Sequence, residues 1–121
     1  MPLSSGGESN VLASLLAARF VSLHTAAPGD TGANEVAGGA YARQGPVSFA
    51  NAGTNPTVAS NTAILQYPVA TTNWGTITHF GIWSAATAGT FLAWAAVTTP
   101  KSIDIDDIAR WEIGKLTVSA D

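Results

Sequence analysis

Two histidines, His24 and His79, and one run of acids, Asp104, Asp106 and Asp107, are the side chains of this sequence best suited to chemistry. An imidazole takes or gives a proton near neutral pH, activates a nucleophile or ligates a metal. Neither histidine stands in an HxxxH or HExxH spacing, and no GxSxG elbow presents a serine for one to activate. Each sits among apolar neighbours in a strand-like segment, so both read as packed or interface histidines that donate to a backbone carbonyl. The acids in Ser102-Ile103-Asp104-Ile105-Asp106-Asp107 offer calcium an oxygen set, with Asp104 and Asp106 on one strand face and Asp107 joining them at a turn. The loop pattern with a glycine at its sixth position and a closing Glu is missing, which favours a solvated turn capped by Asp107.

Glycoside cleavage needs two carboxyl groups flanking an aromatic-lined cleft. Glu35 and Glu112 or an Asp, beside Trp74 or Trp83, can be nominated, but nothing in their spacing favours them. Gly38-Gly39 leads into Tyr41 and a strand, whereas a nucleotide cradle opens a helix. Exposed tryptophans stack on sugars, which keeps a carbohydrate-binding module as a second class. Trp83 and Trp94, in the middle of strands, read instead as core or subunit interface. The residues therefore predict no enzyme, no cofactor and no metal site.

At 121 residues the chain is one domain with room for a modest core. Charged residues make up 11%, less than half the usual share, and 46% are hydrophobic. A surface of Ala, Thr, Ser, Asn and Gly, with four Trp, four Phe and two Tyr to accommodate, favours association over isolated solubility. This predicts a subunit of something larger. The net charge of −3 and the scatter of the basic residues, Arg19, Arg43, Lys101, Arg110 and Lys115, argue against a nucleic-acid partner. The lack of cysteine removes disulfides and thiolate metal sites. The apolar stretch Val11–Val21 is broken by Ser14 and Arg19 and is too short for a bilayer, and Met1-Pro2-Leu3 has no basic n-region, so neither a membrane span nor a signal peptide is predicted.

Residues 1–19 read as an N-terminal arm with a short helix and residues 20–121 as a β domain. Ser9 and Asn10 cap a helix over Val11–Ala18, where Val11, Leu12, Leu15 and Leu16 share a face. It serves either as a lid on one end of the β core or as an arm on a neighbouring subunit. Phe20–Thr25 alternates Phe, Ser, His against Val, Leu, Thr. Tyr41–Phe49 is broken by Gly45-Pro46, with Pro46 at an edge position, and Ala50–Asn61 reads as a loop. Thr62–Tyr67, Thr76–Ser84, Thr90–Thr98 and Lys101–Asp106 follow as strands, with a hairpin link at Ala85–Gly89. Trp111–Ala120 is the last strand, carrying a bulge at Gly114. The fold class is all-β, a small β-sandwich or jelly-roll-like domain with a short N-terminal helix.

Thr76–Ser84 and Thr90–Thr98 are apolar on both faces, and Ile77, Phe80, Ile82, Trp83, Phe91, Leu92, Trp94 and Val97 cannot all enter one thin core. Leaving two or three of them in water forfeits several kcal/mol at about 25 cal/mol per Å2. A second covering surface, either the helix or another subunit, is expected.

The loop Ala26–Ala40 is long for a compact domain, with Pro28, Gly29, Gly32, Gly38 and Gly39 and only Asp30 and Glu35 charged. Its small residues suit close backbone approach to a neighbour, so it reads as an ordered docking loop. Asp30, Asn34, Glu35, Tyr41 and Arg43 are the anchoring and docking candidates, and Trp83, Trp94 and Phe91 the packing candidates. Asn34 self-bonds to hold a turn, and Arg43 pairs with Glu35 across the loop mouth.

Ser22–Arg43, read as SLHT-x-x-PG-x-TG-x-NEV-x-GG-x-YAR, and Trp74–Trp83, WGTITHFGIW, followed by GTFLAWAAVT and IGKLTVS, resemble a family of small tailed-bacteriophage virion proteins. Members are labelled tail-fibre-like or assigned to the head surface, and the resemblance runs from about Phe20 to Ser119. Relatives carry an acid where Ala27 stands, so a ligand or ion-pair role of that acid is absent here. The resemblance implies a non-enzymatic building block of the virion, assembled in the host cytoplasm. Two roles compete. One is a trimeric capsid decoration, or cement, protein that touches the major capsid protein or other virion proteins. The other is a tail-fibre or minor tail component that binds a host receptor or glycan. The self-contained domain, without repeats or fibrous stem, favours the decoration role.

Overall fold

The computed structural model describes residues 19–53 and 57–120. The helix expected over Val11–Ala18 lies outside the described residues, as does most of the 1–19 arm. The described part is built from strands alone: β1 (Arg19–His24), β2 (Gln44–Val47), β3 (Phe49–Gly53), β4 (Thr57–Asn61), β5 (Leu65–Gln66), β6 (Gly75–Trp83), β7 (Phe91–Ile103), β8 (Arg110–Trp111) and β9 (Thr117–Ala120). An antiparallel four-stranded sheet runs β2-β1-β6-β7, a three-stranded sheet runs β3-β4-β9, and β5 pairs with β8 in a short ribbon. The all-β expectation holds.

Alternation explains most of how the sheets close on each other. Val21 and Leu23 of β1 and Phe80 and Ile82 of β6 are buried with Phe49 and Val118 from the three-stranded sheet, and Ile77 is buried beyond the irregularity between Ile77 and His79. Phe49 stacks on Phe80, their ring centroids 6.2 Å apart, and joins the sheets across the core. The ribbon adds Leu65 and Trp111, and Tyr67 just beyond it is enclosed.

Three strand assignments need correction. Ala50–Asn61 is largely a hairpin, not a loop, with β3 and β4 paired from Phe49↔Asn61 to Gly53↔Val58 across a register shift between Asn51 and Gly53. Its residues are too small and polar to announce a strand, and pairing rather than propensity holds them. β4 ends on buried Asn61, whose side-chain amide donates to Ala63 O (2.8 Å) and Glu112 O (3.0 Å) and whose Oδ1 accepts from Leu116 N (3.0 Å). That one side chain ties β4 to the segment between β8 and β9.

Next, β7 is a single strand that runs through Pro100 rather than two strands separated by it. Pro100 falls where the β6–β7 register shifts, between Ala96 and Lys101, and on an edge strand, where a missing N–H is tolerated. Finally, Trp111–Ala120 is two strands with different partners. Gly114, at φ 81°, lies in the turn between them, where Lys115 N donates to Glu112 O. Pro46 does stand on edge strand β2, after a cis Gly45–Pro46 peptide bond.

Candidate functional site

β1 is buried on both faces. Val21 and Leu23 enter the core, while Ser22 and His24, also fully buried, lie on the opposite face. The chain's own loop after β1 covers that face. Gly32 packs so closely on Trp83 that a β-carbon there would lie 2.6 Å from the indole. Gly39 is held the same way, with its carbonyl accepting from Trp74 Nε1 at 2.9 Å.

Within the loop, Thr25 N donates to Asn34 O, Ala33 N to Pro28 O and Val36 N back to Leu23 O. Asn34 adopts a left-handed φ of 65° and donates from Nδ2 to Ala27 O (3.2 Å), so it bridges the loop instead of bonding to itself. The expected Arg43–Glu35 pair forms as a fork, Nε to Oε2 at 2.9 Å and Nη2 to Oε1 at 3.0 Å. Tyr41 adds its hydroxyl to Glu35 Oε2 (2.7 Å) and accepts from Leu23 N (3.0 Å). Arg43 Nη1 also reaches the carbonyls of Ala85 (3.3 Å) and Ala88 (2.8 Å) in the β6–β7 link, and the guanidinium lies 3.6 Å from the Trp83 ring centroid. Glu35, Tyr41 and Arg43 are thus used inside the subunit, where they hold the loop to the sheet.

Beneath the loop runs a buried polar chain that sequence reading missed. Trp83 Nε1 donates to Ser22 Oγ (2.8 Å), which lies 2.7 Å from His24 Nε2, and His24 Nδ1 lies 2.7 Å from Ala33 O. A carbonyl only accepts, so the His24 proton resides on Nδ1 and Ser22 donates to Nε2. The Ser–His spacing is that of a nucleophile and its base. Both side chains are enclosed, however, and Gly81 packs against them so tightly that a β-carbon would meet Ser22 Oγ at 2.6 Å. The pair acts as a fastening between β1, β6 and the loop.

Burial holds the His24 ring below its ordinary value of 6.5, against the opposing pull of the Ala33 carbonyl and Glu35. The unfolded chain therefore takes up a proton that the folded one resists. Stability is expected to be full above pH 6.5 and to decline as the pH falls below it, and His24→Gln should flatten that slope in urea titrations between pH 6.5 and about pH 5. Burial also raises the hydroxyls of Tyr41, which Glu35 raises further, and of Tyr67 above 10, so their contribution is lost as the pH climbs past that value.

The remaining candidates divide. Phe91 packs on Trp83 with centroids 5.0 Å apart, under the loop. Trp94 is 39% exposed beside His79 and, with Asp30, Gly29 and Leu92, lines an open hollow of about 340 Å3. Of the predicted docking residues, Asp30, Asn34 and Trp94 are exposed, and Asn34 spends its amide on the loop itself. Trp74, nominated for sugar stacking, is buried edge-on against Tyr41 and Tyr67. Glu35 and Glu112, nominated as paired acids, are each engaged by their own arginine. Asp107 caps the acidic turn, its Oδ2 accepting from Asp104 N (2.8 Å), and among the described residues no group of acids and histidines converges into a metal-holding set. Lys101, Arg110 and Lys115, scattered in sequence, line one groove.

A protein-family model described as podophage GP4 fiber I protein gp80 matches residues 9–119. No curated protein matches the chain.

Proposed function

The chain belongs to the podophage GP4 fiber I protein gp80 family, and from that premise we propose that it is a structural subunit of the virion exterior that works in several copies. The family is one of tailed-phage virion proteins, tail-fibre-like, so the chain is a virion component. The match over residues 9–119 carries the reading, and the geometry supports it. β7, a 13-residue edge strand, presents Phe91–Thr99 without a charge, glycine or proline, and Trp94 stands exposed on it. Natural sheets blunt such edges unless a partner covers them. A homo-oligomer such as a trimer supplies that partner.

The family's fibre description favours a place in the fibre apparatus. The decoration reading, a cement protein on the capsid, draws on the small all-β sandwich and on the hydrogen-bonded loop that covers Trp83. Gold labelling of intact particles separates them: signal on the tail or its fibres supports the first, signal spread over the head supports the second. Particles without signal contradict both. A glycan array hit would add receptor binding to the fibre role, with Trp94→Ala, not Trp74→Ala, the informative variant, because only Trp94 of the two is exposed.

A further inference from the structure

Outside the Glu35–Arg43 pair, the described residues carry five acids and four bases, and most of these gather into two features. Three of the acids, Asp104, Asp106 and Asp107, form one exposed turn. Three of the bases, Lys101, Arg110 and Lys115, line one groove of about 650 Å3, where Glu112 alone opposes them and two positive charges remain. An acidic protein with few charges has thus separated them into a knob and a hollow of opposite sign.

Both features are set before any partner arrives. At the turn, Asp107 N donates to Asp104 O, Ile105 N to Asn73 Oδ1 (2.8 Å) and Asp106 N to Ala70 O (2.7 Å), and Asp106 holds a left-handed φ of 73°. The Asp104 and Asp106 carboxylates are left facing water, with Ile105 57% exposed between them. In the groove, Lys101 donates to Arg110 O and lies 4.7 Å from the centroid of the Trp111 ring, and Arg110 is braced by Glu112 (2.8 Å) and Gln66 (3.1 Å). Among the described residues no hydrogen bond or ion pair engages the Lys115 ammonium. Pre-set partners lose little freedom on binding. Ile113, at the groove's turn, is 61% exposed and offers an apolar neighbour for Ile105.

We infer that the basic groove receives the acidic turn of a second copy of this chain. Charge complementarity selects this occupant, because the matching anion is carried on every subunit that carries the groove. The contact deepens the multi-copy reading proposed above and rests on it. Turn and groove share no residue, so the contact joins unlike patches, and each subunit can both offer a turn and receive one.

Sedimentation velocity with two single-site designs tests it. Lys115→Glu removes the groove's excess charge, and Asp104→Lys with Asp106→Asn removes the turn's, keeping a residue that tolerates the left-handed site. The wild-type chain should associate at about 20 mM salt and weaken as screening rises toward about 500 mM. Each variant should associate at least about tenfold more weakly. An equimolar mixture should form a one-to-one dimer through its single intact turn–groove junction, which also shows that both variants are folded. If the wild-type chain assembles and neither variant alters it, the turn–groove contact is wrong and the multi-copy reading stands on another surface. A wild-type chain that is monomeric at every salt concentration sinks both. Saturable shifts of the Gly114 and Lys115 amide resonances with polygalacturonate, without self-association, would assign the groove to an acidic saccharide and overturn the self-docking.

Discussion

Arg43→Ala should lower the unfolding free energy by about 3 kcal/mol, read from the midpoint of a urea transition at constant slope. The side chain is 11% exposed and its partner Glu35 20%, so the truncation leaves a largely enclosed carboxylate that water reaches poorly. It also strips the Ala85 and Ala88 carbonyls of their donor and removes the cation from the Trp83 face. Surface ion pairs are worth about 1 kcal/mol or less, so a loss of that smaller size would show the loop to be held by something else. Removing Glu35 as well should cost less than the two single losses added together, because the doubly truncated site keeps no stranded charge. Arg43→Lys should recover only part, since an ammonium cannot fork onto Glu35 while capping two carbonyls.

Tyr67→Ala should cost about 4 kcal/mol, a third or more of the stability of an ordinary domain. The ring stacks on Tyr41 with centroids 5.9 Å apart and meets Trp74 and Trp111 edge-on, both at 6.3 Å. It therefore joins the loop side of the molecule to the β5–β8 ribbon, and its removal opens a cavity among three aromatic rings. Its hydroxyl donates to Val21 O at 2.6 Å in the central strand. Tyr67→Phe keeps the rings packed and leaves that carbonyl unsatisfied, at a cost of about 1–2 kcal/mol. Equal losses in the two variants would mean that the hydroxyl, not the packing, dominates.

Strand β6 and the first part of β7 were legible in the sequence because their residues are too apolar to be anything else. The loop's anchoring was legible too, in the pairing of Glu35 with Arg43 and the glycines around them. What hid was every feature made by distant residues. Ser22 finds Trp83 across 61 positions, and Asn61 finds Glu112 across 51. Neither carries a local pattern. The β3–β4 hairpin hid for another reason, since small polar residues read as a loop until a neighbouring strand pairs with them. For Trp83 and Phe91, part of the expected second cover comes from the loop itself, through Gly32 and Arg43. Glu35, Tyr41 and Arg43 are engaged within the subunit, so the docking role we propose for the loop rests on its outer rim near Asp30 and on Trp94 of β7.

The decisive measurement is a cryo-electron microscopy map of the intact particle, resolved to side chains. If this chain is an exterior virion subunit that docks through its loop, several copies should stand on the particle surface, each with residues 26–40 folded over Trp83 and with Asp30 and Trp94 against a neighbouring subunit. Copies whose loop has no density, or whose Asp30 and Trp94 face open solvent, would contradict it.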